Sequence, residues 1–178
     1  MRIIAGKLGG RTFASPHAHR THPMSDKVRG ALFNALGDIT GLSVLDAFAG
    51  SGAVGFEAIS RGAAHATLID VDKVAQRTIA ENIDRLKLIR EVKLINASAK
   101  AWLTTADETY DIVILDPPYD DLQFDLLYRL LRLASQPGGL AVVSLPPGAA
   151  FSPDDENYEL LTQKSYGDAQ LVFYRRIG

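Results

Sequence analysis

The sequence contains no cysteine, and this absence removes two classes of protein. A disulfide framework and a thiolate metal site both depend on cysteine side chains, so neither is expected. Long apolar runs are missing as well: no stretch could span a bilayer, and the opening MRIIAGKLGGRTF lacks the apolar core of a signal peptide. We therefore expect a cytoplasmic protein without a membrane segment.

Net charge is also small, at −2 over 178 residues, yet positive charge is concentrated near the N-terminus. Residues 1–30 contain six lysines and arginines against one acidic residue, Asp26. Such a segment can bind the phosphates of a nucleic acid, and these contacts give affinity that does not depend on the base sequence. The alternative is a solvated terminal loop. We therefore divide the chain into a basic N-terminal hairpin or arm, residues 1–24, and one domain, residues 25–178, whose first helix Ser25 would cap.

The rest of the chain alternates between strand-like and helix-like apolar patterns. Strands are predicted over residues 43–49, 65–70, 93–97, 110–116 and 138–145. Helices are predicted over residues 52–62, 72–88, 101–103 and 122–134. The alternation predicts an α/β fold, with a mostly parallel sheet and helices on both faces. In the final YELLTQKSYGDAQLVFYRR, two apolar runs flank Tyr-Gly-Asp, which predicts a β-hairpin at the sheet edge.

The stretch LDAFAGSGAVG, residues 45–55, predicts a ligand site. Its glycines at 50, 52 and 55 match the dinucleotide fingerprint, and Asp70 lies where that fingerprint expects a ribose-binding acid. Asp46, at the predicted strand end, argues against a dinucleotide, because its carboxylate would repel a diphosphate and suit a cationic ligand. A tight turn without a ligand is the remaining alternative.

S-adenosylmethionine suits these two carboxylates and the glycine loop, because it has an ammonium group and a ribose diol but no phosphate. Asp70 would accept hydrogen bonds from both ribose hydroxyls, and Val71 would pack against the adenine. A nicotinamide-dependent oxidoreductase is the competing interpretation of the same glycines.

LDPPYDD, residues 115–121, follows the apolar run YDIVIL and would lie at the carboxyl end of the fourth strand, near the glycine loop. Asp116 and the backbone carbonyl of Pro117 would accept hydrogen bonds from the two N–H groups of a nucleobase amine. The fixed φ of proline aims that carbonyl. Tyr119 would stack on the base. The segment therefore predicts a binding site for a planar amine. The alternative is an Asp-Pro turn that binds no ligand.

LDAFAGSGAVGFEAISRGA, LIDVD and DPPY occur in the order of the class I amino-methyltransferases, which the chain resembles. The opening RIIAGKLGGRTF and HPMSDKVRGALFN make it similar to the bacterial enzymes that methylate the exocyclic N2 of a guanine in 16S ribosomal RNA, the RsmD-like family. The resemblance runs from Arg2 to the closing YGDAQLVFYRR. It implies a Rossmann-like, mostly parallel seven-stranded sheet, S-adenosylmethionine as cofactor, and 16S ribosomal RNA in an assembling small subunit as the partner of a monomer.

The resemblance also implies roles for individual residues. The catalytic corner would comprise Asp116, Pro117, Pro118 and Tyr119. Cofactor contacts would come from Ser25, Asp46, Phe48, Gly50, Ser51, Gly52, Asp70, Val71, Ser98 and Ala99. RNA contacts would come from Arg2, Lys7, Arg11, Arg20, Lys27 and Arg29.

Three other functions are consistent with part of the pattern. A DNA adenine-N6 or cytosine-N4 methyltransferase shares DPPY, although little chain remains beyond the catalytic sheet to read a DNA sequence. An oxidoreductase shares the glycine pattern. A ribosome-assembly module without activity would share the fold, although the intact DPPY argues against it.

HAHRTH, residues 17–22, places three histidines in six positions and invites a metal interpretation. No carboxylate or cysteine accompanies them in this loop, and the proposed methyl transfer needs no metal. We therefore expect no metal site. Trp102 is expected in the core.

Overall fold

The computed structural model describes residues 1–17, 23–153 and 156–178, and in these ranges seven strands form one mixed sheet. The strands are β1 (Ser43–Asp46), β2 (His65–Asp70), β3 (Val92–Asn96), β4 (Tyr110–Leu115), β5 (Ser135–Leu145), β6 (Tyr158–Tyr166) and β7 (Ala169–Arg176). Their order is β3-β2-β1-β4-β5-β7-β6. The strand order reverses between β1 and β4, the position at which open α/β sheets bind ligands.

Five helices accompany these strands in the same part of the chain. They are α1 (Asp26–Leu36), α2 (Ala53–Ser60), α3 (Lys73–Leu86), α4 (Ala99–Trp102) and α5 (Phe124–Ala134). The first, α1, precedes β1, and the other four connect successive strands from β1 to β5. Side-chain oxygens cap three of them: Ser25 accepts from Val28 N, Asp72 from Ala75 N, and Ser98 from Ala101 N. Across the described residues, every helix is too short or too polar to cross a bilayer.

The predicted mostly parallel, seven-stranded sheet is confirmed. β1 runs parallel to β2 and β4, β2 to β3, and β4 to β5, whereas β7 is antiparallel to both β5 and β6. The C-terminal hairpin therefore extends the sheet edge as predicted. The predicted first strand ends earlier, at Asp46, because the chain leaves the sheet there into the glycine loop.

Two apolar cores lie on the two faces of the sheet. One contains α1, α2 and α3, with Leu32, Phe56 and Ile79 fully buried. The other contains α4 and α5, and includes Leu130 and Trp102. Trp102 is 8% exposed, which confirms its predicted place in the core. Because both faces are covered, the functional groups concentrate at the strand ends.

The N-terminal hairpin, residues 2–12, packs against the first core. A single antiparallel bridge joins Arg2 to Thr12. Ile3 and Phe13 are buried, and the Phe13 ring meets Phe56 of α2 edge-on at 5.3 Å between centroids. The hairpin thus shares a core with the helices, and the predicted boundary after residue 24 stays a prediction.

Candidate active site

Three aspartates stand at the carboxyl ends of neighbouring strands. Asp46 ends β1, Asp70 ends β2, and Asp116 follows β4. Among residues 1–17, 23–153 and 156–178, no lysine, arginine or histidine nitrogen lies within 4 Å of any of these carboxylates. The edge therefore concentrates carboxyl groups that the described side chains leave without an ion pair, a condition that favours a cationic ligand.

Burial raises the pKa of all three carboxyl groups, and charge repulsion adds to the rise at Asp46. Asp46 is 2% exposed, and its burial, together with the charge of Asp116, raises its pKa to about 8. The Phe48 N–H, which donates to Asp46 Oδ1 at 3.3 Å, opposes that rise. Burial raises the pKa of Asp116 to about 6, and the neighbouring Ser144 hydroxyl opposes that rise. A cation bound here would favour the ionised forms.

Asp70 organises the turns on either side of it. Its Oδ2 accepts from Gly50 N at 2.7 Å, and its Oδ1 accepts from Asp72 N at 2.8 Å. Burial raises its pKa, while these N–H donors lower it. Each oxygen keeps a further lone pair, so the carboxylate can still accept two hydroxyl protons. Sequence reasoning predicts a ligand role for Asp70 but missed this bond to the glycine loop.

The glycine loop runs between the ends of β2 and β4. Ala47 N donates to Ile114 O at 3.3 Å, and Ala49 N donates to Ile69 O at 2.9 Å. Gly50 has φ 55°, a region that favours glycine, and an added Cβ would meet no atom within 4 Å. The space beside Gly50 is therefore open for a ligand.

The loop then turns into α2 through small residues. Ser51 is buried, and its Oγ accepts from Ala53 N at 3.3 Å. Gly52 N donates to Ala49 O at 2.8 Å. At Gly55, an added Cβ would stand 2.2 Å from a methyl carbon of Leu68. The third glycine thus permits α2 to pack closely against β2, as the fingerprint requires.

The predicted catalytic corner, residues 116–119, presents the Tyr119 ring to solvent. Pro117 is buried, Pro118 is exposed, and Tyr119 is 37% exposed. The Tyr119 hydroxyl lies 2.7 Å from Ser144 Oγ. An exposed ring whose hydroxyl is tethered can serve as a stacking surface.

The remaining predicted cofactor contacts are distributed around this edge. Val71 is 67% exposed, so its side chain is available for an adenine. Ser98 Oγ accepts from Ala101 N at 3.1 Å but keeps a lone pair and a proton. The Ala99 methyl is buried in the second core, which leaves only its backbone for a ligand. Ser25 Oγ caps α1, and Phe48 is half-buried.

The predicted RNA contacts fall into four groups, of which the buried Arg29 is the last. Arg2, Lys7 and Lys27 are exposed. Arg11 is exposed too, but its guanidinium donates to Leu86 O at 3.5 Å and to Arg85 O at 3.3 Å, near the end of α3. Arg20 lies outside the described residues, as do the histidines at 19 and 22. In the described ranges, no three His, Asp or Glu side chains stand close enough to hold a metal.

Arg29 is a correction, because the structure buries it completely. Its side chain is 0% exposed, and Nη2 donates to Arg2 O at 2.7 Å. Its Nε lies 3.6 Å from Glu57 Oε2, which is also fully buried. It therefore fastens α1 to the hairpin and α2, out of reach of RNA. Its helical spacing from Leu32 and Phe33 was the signal that could have placed it on the buried face.

Ser144 was missed, although it contacts the corner from β5. It is 2% exposed, and it lies beside Asp116 because Leu115 is paired with Val143. Nothing in the local pattern AVVSL distinguishes a site serine from a strand serine, since only the sheet register brings the two segments together.

The fold is that of the class I S-adenosylmethionine-dependent methyltransferases. A solved structure from Streptococcus mutans, named a putative S-adenosylmethionine-dependent methyltransferase, superposes with a TM-score of 0.70 at 19% identity, over 84% of this chain and 48% of that one. A solved structure from Escherichia coli, named putative methyltransferase yhhF, gives a TM-score of 0.88 at 31% identity, over 100% of this chain and 98% of that one.

The chain belongs to the family described as conserved hypothetical protein 95, whose model matches residues 1–175. The Escherichia coli protein named ribosomal RNA small subunit methyltransferase D is 37% identical over 142 residues, which span 79% of this chain and 70% of that protein. The predicted RsmD-like resemblance is thereby confirmed, and the chain is an enzyme of the methyltransferase class.

Proposed function

We propose that the protein transfers a methyl group from S-adenosylmethionine to the exocyclic N2 of a guanine in 16S ribosomal RNA. The observation that carries the proposal is the shared edge of Asp46, Asp70 and Asp116 beside an open glycine loop and the exposed ring of Tyr119. It combines an acceptor set for a cationic nucleoside with a surface for a planar base.

The residues fit the cofactor in charge and in space. Asp46, with its raised pKa, would hold the ammonium group, and the open space beside Gly50 would admit the methionine chain. The free lone pairs of Asp70 would accept the ribose hydroxyls, with Val71 against the adenine. When bound, the cofactor supplies an activated methyl group on a sulfonium.

The chain's own contribution is to orient the target amine. An exocyclic amine is a weak nucleophile because its lone pair is delocalised into the ring. Asp116 and the Pro117 carbonyl would each accept one N–H and hold the nitrogen in line with the methyl group. Tyr119 would fix the plane of the base by stacking. The amine loses one proton after transfer, and the Asp116 carboxylate is placed to accept it.

The RNA assignment rests on the relatives and on the basic hairpin. The relative named above is a ribosomal RNA small subunit methyltransferase, and the exposed Arg2, Lys7 and Lys27 are suited to phosphates. Arg11, Arg20 and the guanine-N2 specificity are part of the same proposal. We further propose a monomer that acts in the cytoplasm on an assembling small subunit.

The test is methyl incorporation from labelled S-adenosylmethionine into small subunits from a strain that lacks the enzyme, followed by nucleoside mass analysis. We expect N2-methylguanosine with the wild type and at least about a hundredfold less with Asp116→Asn, since that variant loses the charged acceptor. Asp125→Asn, an exposed acid in the first turn of α5, is the matched control and should retain wild-type activity.

Two results would redirect the proposal. Methylation of adenine or cytosine in DNA, with none in ribosomal RNA, would replace the substrate but keep the site. Binding of NAD with no affinity for S-adenosylhomocysteine in a thermal-shift assay would overturn the cofactor itself.

A further inference from the structure

The N-terminal hairpin is fastened to the rest of the chain through its backbone. Ile4 N and Ala5 N donate to the two carboxylate oxygens of Glu57, at 2.9 Å and 3.1 Å. Leu8 N donates to Ser60 Oγ at 2.9 Å. Both acceptor side chains lie on α2 and are buried. Side chains of a helix thus accept the N–H groups that a neighbouring strand would otherwise accept.

Another buried side chain holds the segment that leaves the hairpin. Asn82 of α3 is 1% exposed. Ala14 N donates to Asn82 Oδ1 at 2.9 Å, and Asn82 Nδ2 donates to Ala14 O at 2.8 Å. Because a shift of the segment would leave this buried amide unsatisfied, the pair of bonds fixes one position of the hairpin on α3.

Gly6 brings the turn of the hairpin into direct contact with the end of α2. It has φ 83°, and an added Cβ would stand 1.9 Å from Ser60 O. Gly10, at the end of the same turn, has nearly the same φ, 84°, but an added Cβ there would meet no atom within 4 Å. A side chain at position 6 would therefore lift the turn off α2, whereas a side chain at position 10 would not.

The three basic residues of the hairpin are each held from a different helix. Arg29 of α1 donates to Arg2 O at 2.7 Å. Lys7 N donates to Ser60 O, at the end of α2, at 2.8 Å. The Arg11 guanidinium donates to two carbonyl oxygens at the end of α3. The spacing of these three cations is therefore set by the packing of the helices.

We propose that Gly6, Ser60 and Asn82 are positioning residues of the RNA interface. They dock the hairpin on α2 and α3, so that its basic residues meet RNA phosphates in one fixed arrangement. The inference rests on the proposed action on RNA. A two-stranded hairpin is marginally stable by itself, so an undocked hairpin would have to be ordered by the RNA as it binds. The observed affinity would then fall with the docked fraction, although the phosphate contacts in the complex stay the same.

The first test needs no RNA. Amide hydrogen exchange, followed by NMR, would compare the wild type with Gly6→Ala and Asn82→Ala. We expect the hairpin amides to exchange at least about tenfold faster in both variants, with wild-type rates in β1. Gly10→Ala is the matched control for the first variant, because it places alanine at the same φ. Thr78→Ala, which removes a side-chain bond within α3, is the control for the second. Unchanged hairpin protection in both variants, or an equal loss in β1, would overturn the inference.

The second test measures RNA binding and methyl transfer in the same proteins. We expect Gly6→Ala and Asn82→Ala to weaken binding of 16S ribosomal RNA about threefold to tenfold, as for a hairpin docked in about a third to a tenth of the molecules. The slope of log affinity against log salt should keep its wild-type value, because the same phosphates are contacted. Lys7→Ala should lower that slope. We expect kcat at saturating RNA and affinity for S-adenosylhomocysteine to be unchanged.

The possible outcomes separate this inference from the proposed function. Wild-type RNA affinity in Gly6→Ala and Asn82→Ala, or a loss of kcat with KM unchanged, would overturn the inference and leave the proposed methyl transfer intact. A wild type that methylates DNA and no ribosomal RNA would reject the proposed function. The same affinity comparison on that DNA would then decide whether docking of the hairpin prepares it for phosphates, and equal affinities there would overturn the inference as well.

Discussion

At the scale of single residues, the protonation of Asp46 should report binding of the proposed cofactor. Its pKa of about 8 means that the ligand-free protein holds a proton there at neutral pH. The unfolded chain releases that proton near pH 4, so the free energy of unfolding falls as the pH rises from about 4 to about 8. A bound ammonium group reverses this effect because it favours the carboxylate.

We therefore predict that S-adenosylhomocysteine binds more tightly as the pH rises from 6 to 8, by up to about tenfold per pH unit. Calorimetry in buffers of different ionisation enthalpy should detect a proton released on binding at pH 7. Asp46→Asn should weaken binding and abolish the release. The exposed Asp125→Asn serves as the control, and equal proton release in all three proteins would rule out the assignment of Asp46 to the ammonium group.

The buried Arg29 gives a second prediction at this scale. Arg29→Ala should lower the free energy of unfolding by about 3 kcal/mol in urea. This is the low end for a broken buried ion pair, because Arg61 still contacts Glu57 at 2.8 Å. Lys27→Ala, exposed on the same helix, should change stability by less than about 0.5 kcal/mol. If Arg29→Ala were as stable as the wild type and bound RNA more weakly, Arg29 would be an RNA contact, as the sequence predicted.

At the scale of elements, α2 is held by three different contacts. Its glycine faces Leu68 of β2, Phe56 meets the hairpin, and the carboxylate of Glu57 accepts from Ile4 N at 2.9 Å and Ala5 N at 3.1 Å. The helix therefore fixes both the glycine loop before it and the hairpin behind it. A change in its distance from the sheet should disturb the site as well as the fold.

Two glycine-to-alanine changes separate packing from helix propensity. Gly55→Ala should destabilise the protein by about 1–3 kcal/mol, because its Cβ would stand 2.2 Å from Leu68, a fully buried side chain. Gly30→Ala in α1 should stabilise it by about 0.5–1 kcal/mol, since its Cβ would be 3.8 Å from the nearest atom, in Ile4. Urea unfolding measures the stability of both variants. Higher stability in both would contradict the close contact between Gly55 and Leu68.

At the scale of the whole molecule, the hairpin lies at one end of the helices, and the strand ends that carry Asp46, Asp70 and Asp116 lie at the other. Lys7 N donates to Ser60 O at the end of α2, a helix of eight residues and about 12 Å. Arg11 reaches the end of α3, whose 14 residues span about 21 Å. An RNA that contacts these residues and the corner must therefore extend along the helical face.

Lys7→Ala should consequently weaken RNA binding without touching the cofactor. We expect the slope of log affinity against log salt to fall by about 0.7–0.9, the value for one phosphate contact. Affinity for S-adenosylhomocysteine should not change. Lys164→Ala, exposed on the outermost strand β6, is the matched control. Equal salt slopes in the wild type, Lys7→Ala and Lys164→Ala would show that Lys7 does not contact RNA.

Local patterns predicted the elements well because their causes are local. The strand over residues 65–70 has the predicted bounds, and the Ser25 cap forms as predicted. The strand predicted over residues 138–145 begins earlier, at Ser135, because that residue is paired with Tyr110 across a bulge, a contact that no local pattern records. Element ends thus depended on neighbours that are distant in sequence.

The amino-acid sequence by itself determined the alternation of strands and helices, the position of the glycine loop, and the acidic residues at three strand ends. These follow from periodicity and from backbone chemistry, which act over a few residues. Only the tertiary structure decided that Arg29 is a buried partner of Glu57 and that Ser144 stands beside Asp116 and Tyr119. Those contacts depend on strand register and helix packing, which join residues that lie far apart in the chain.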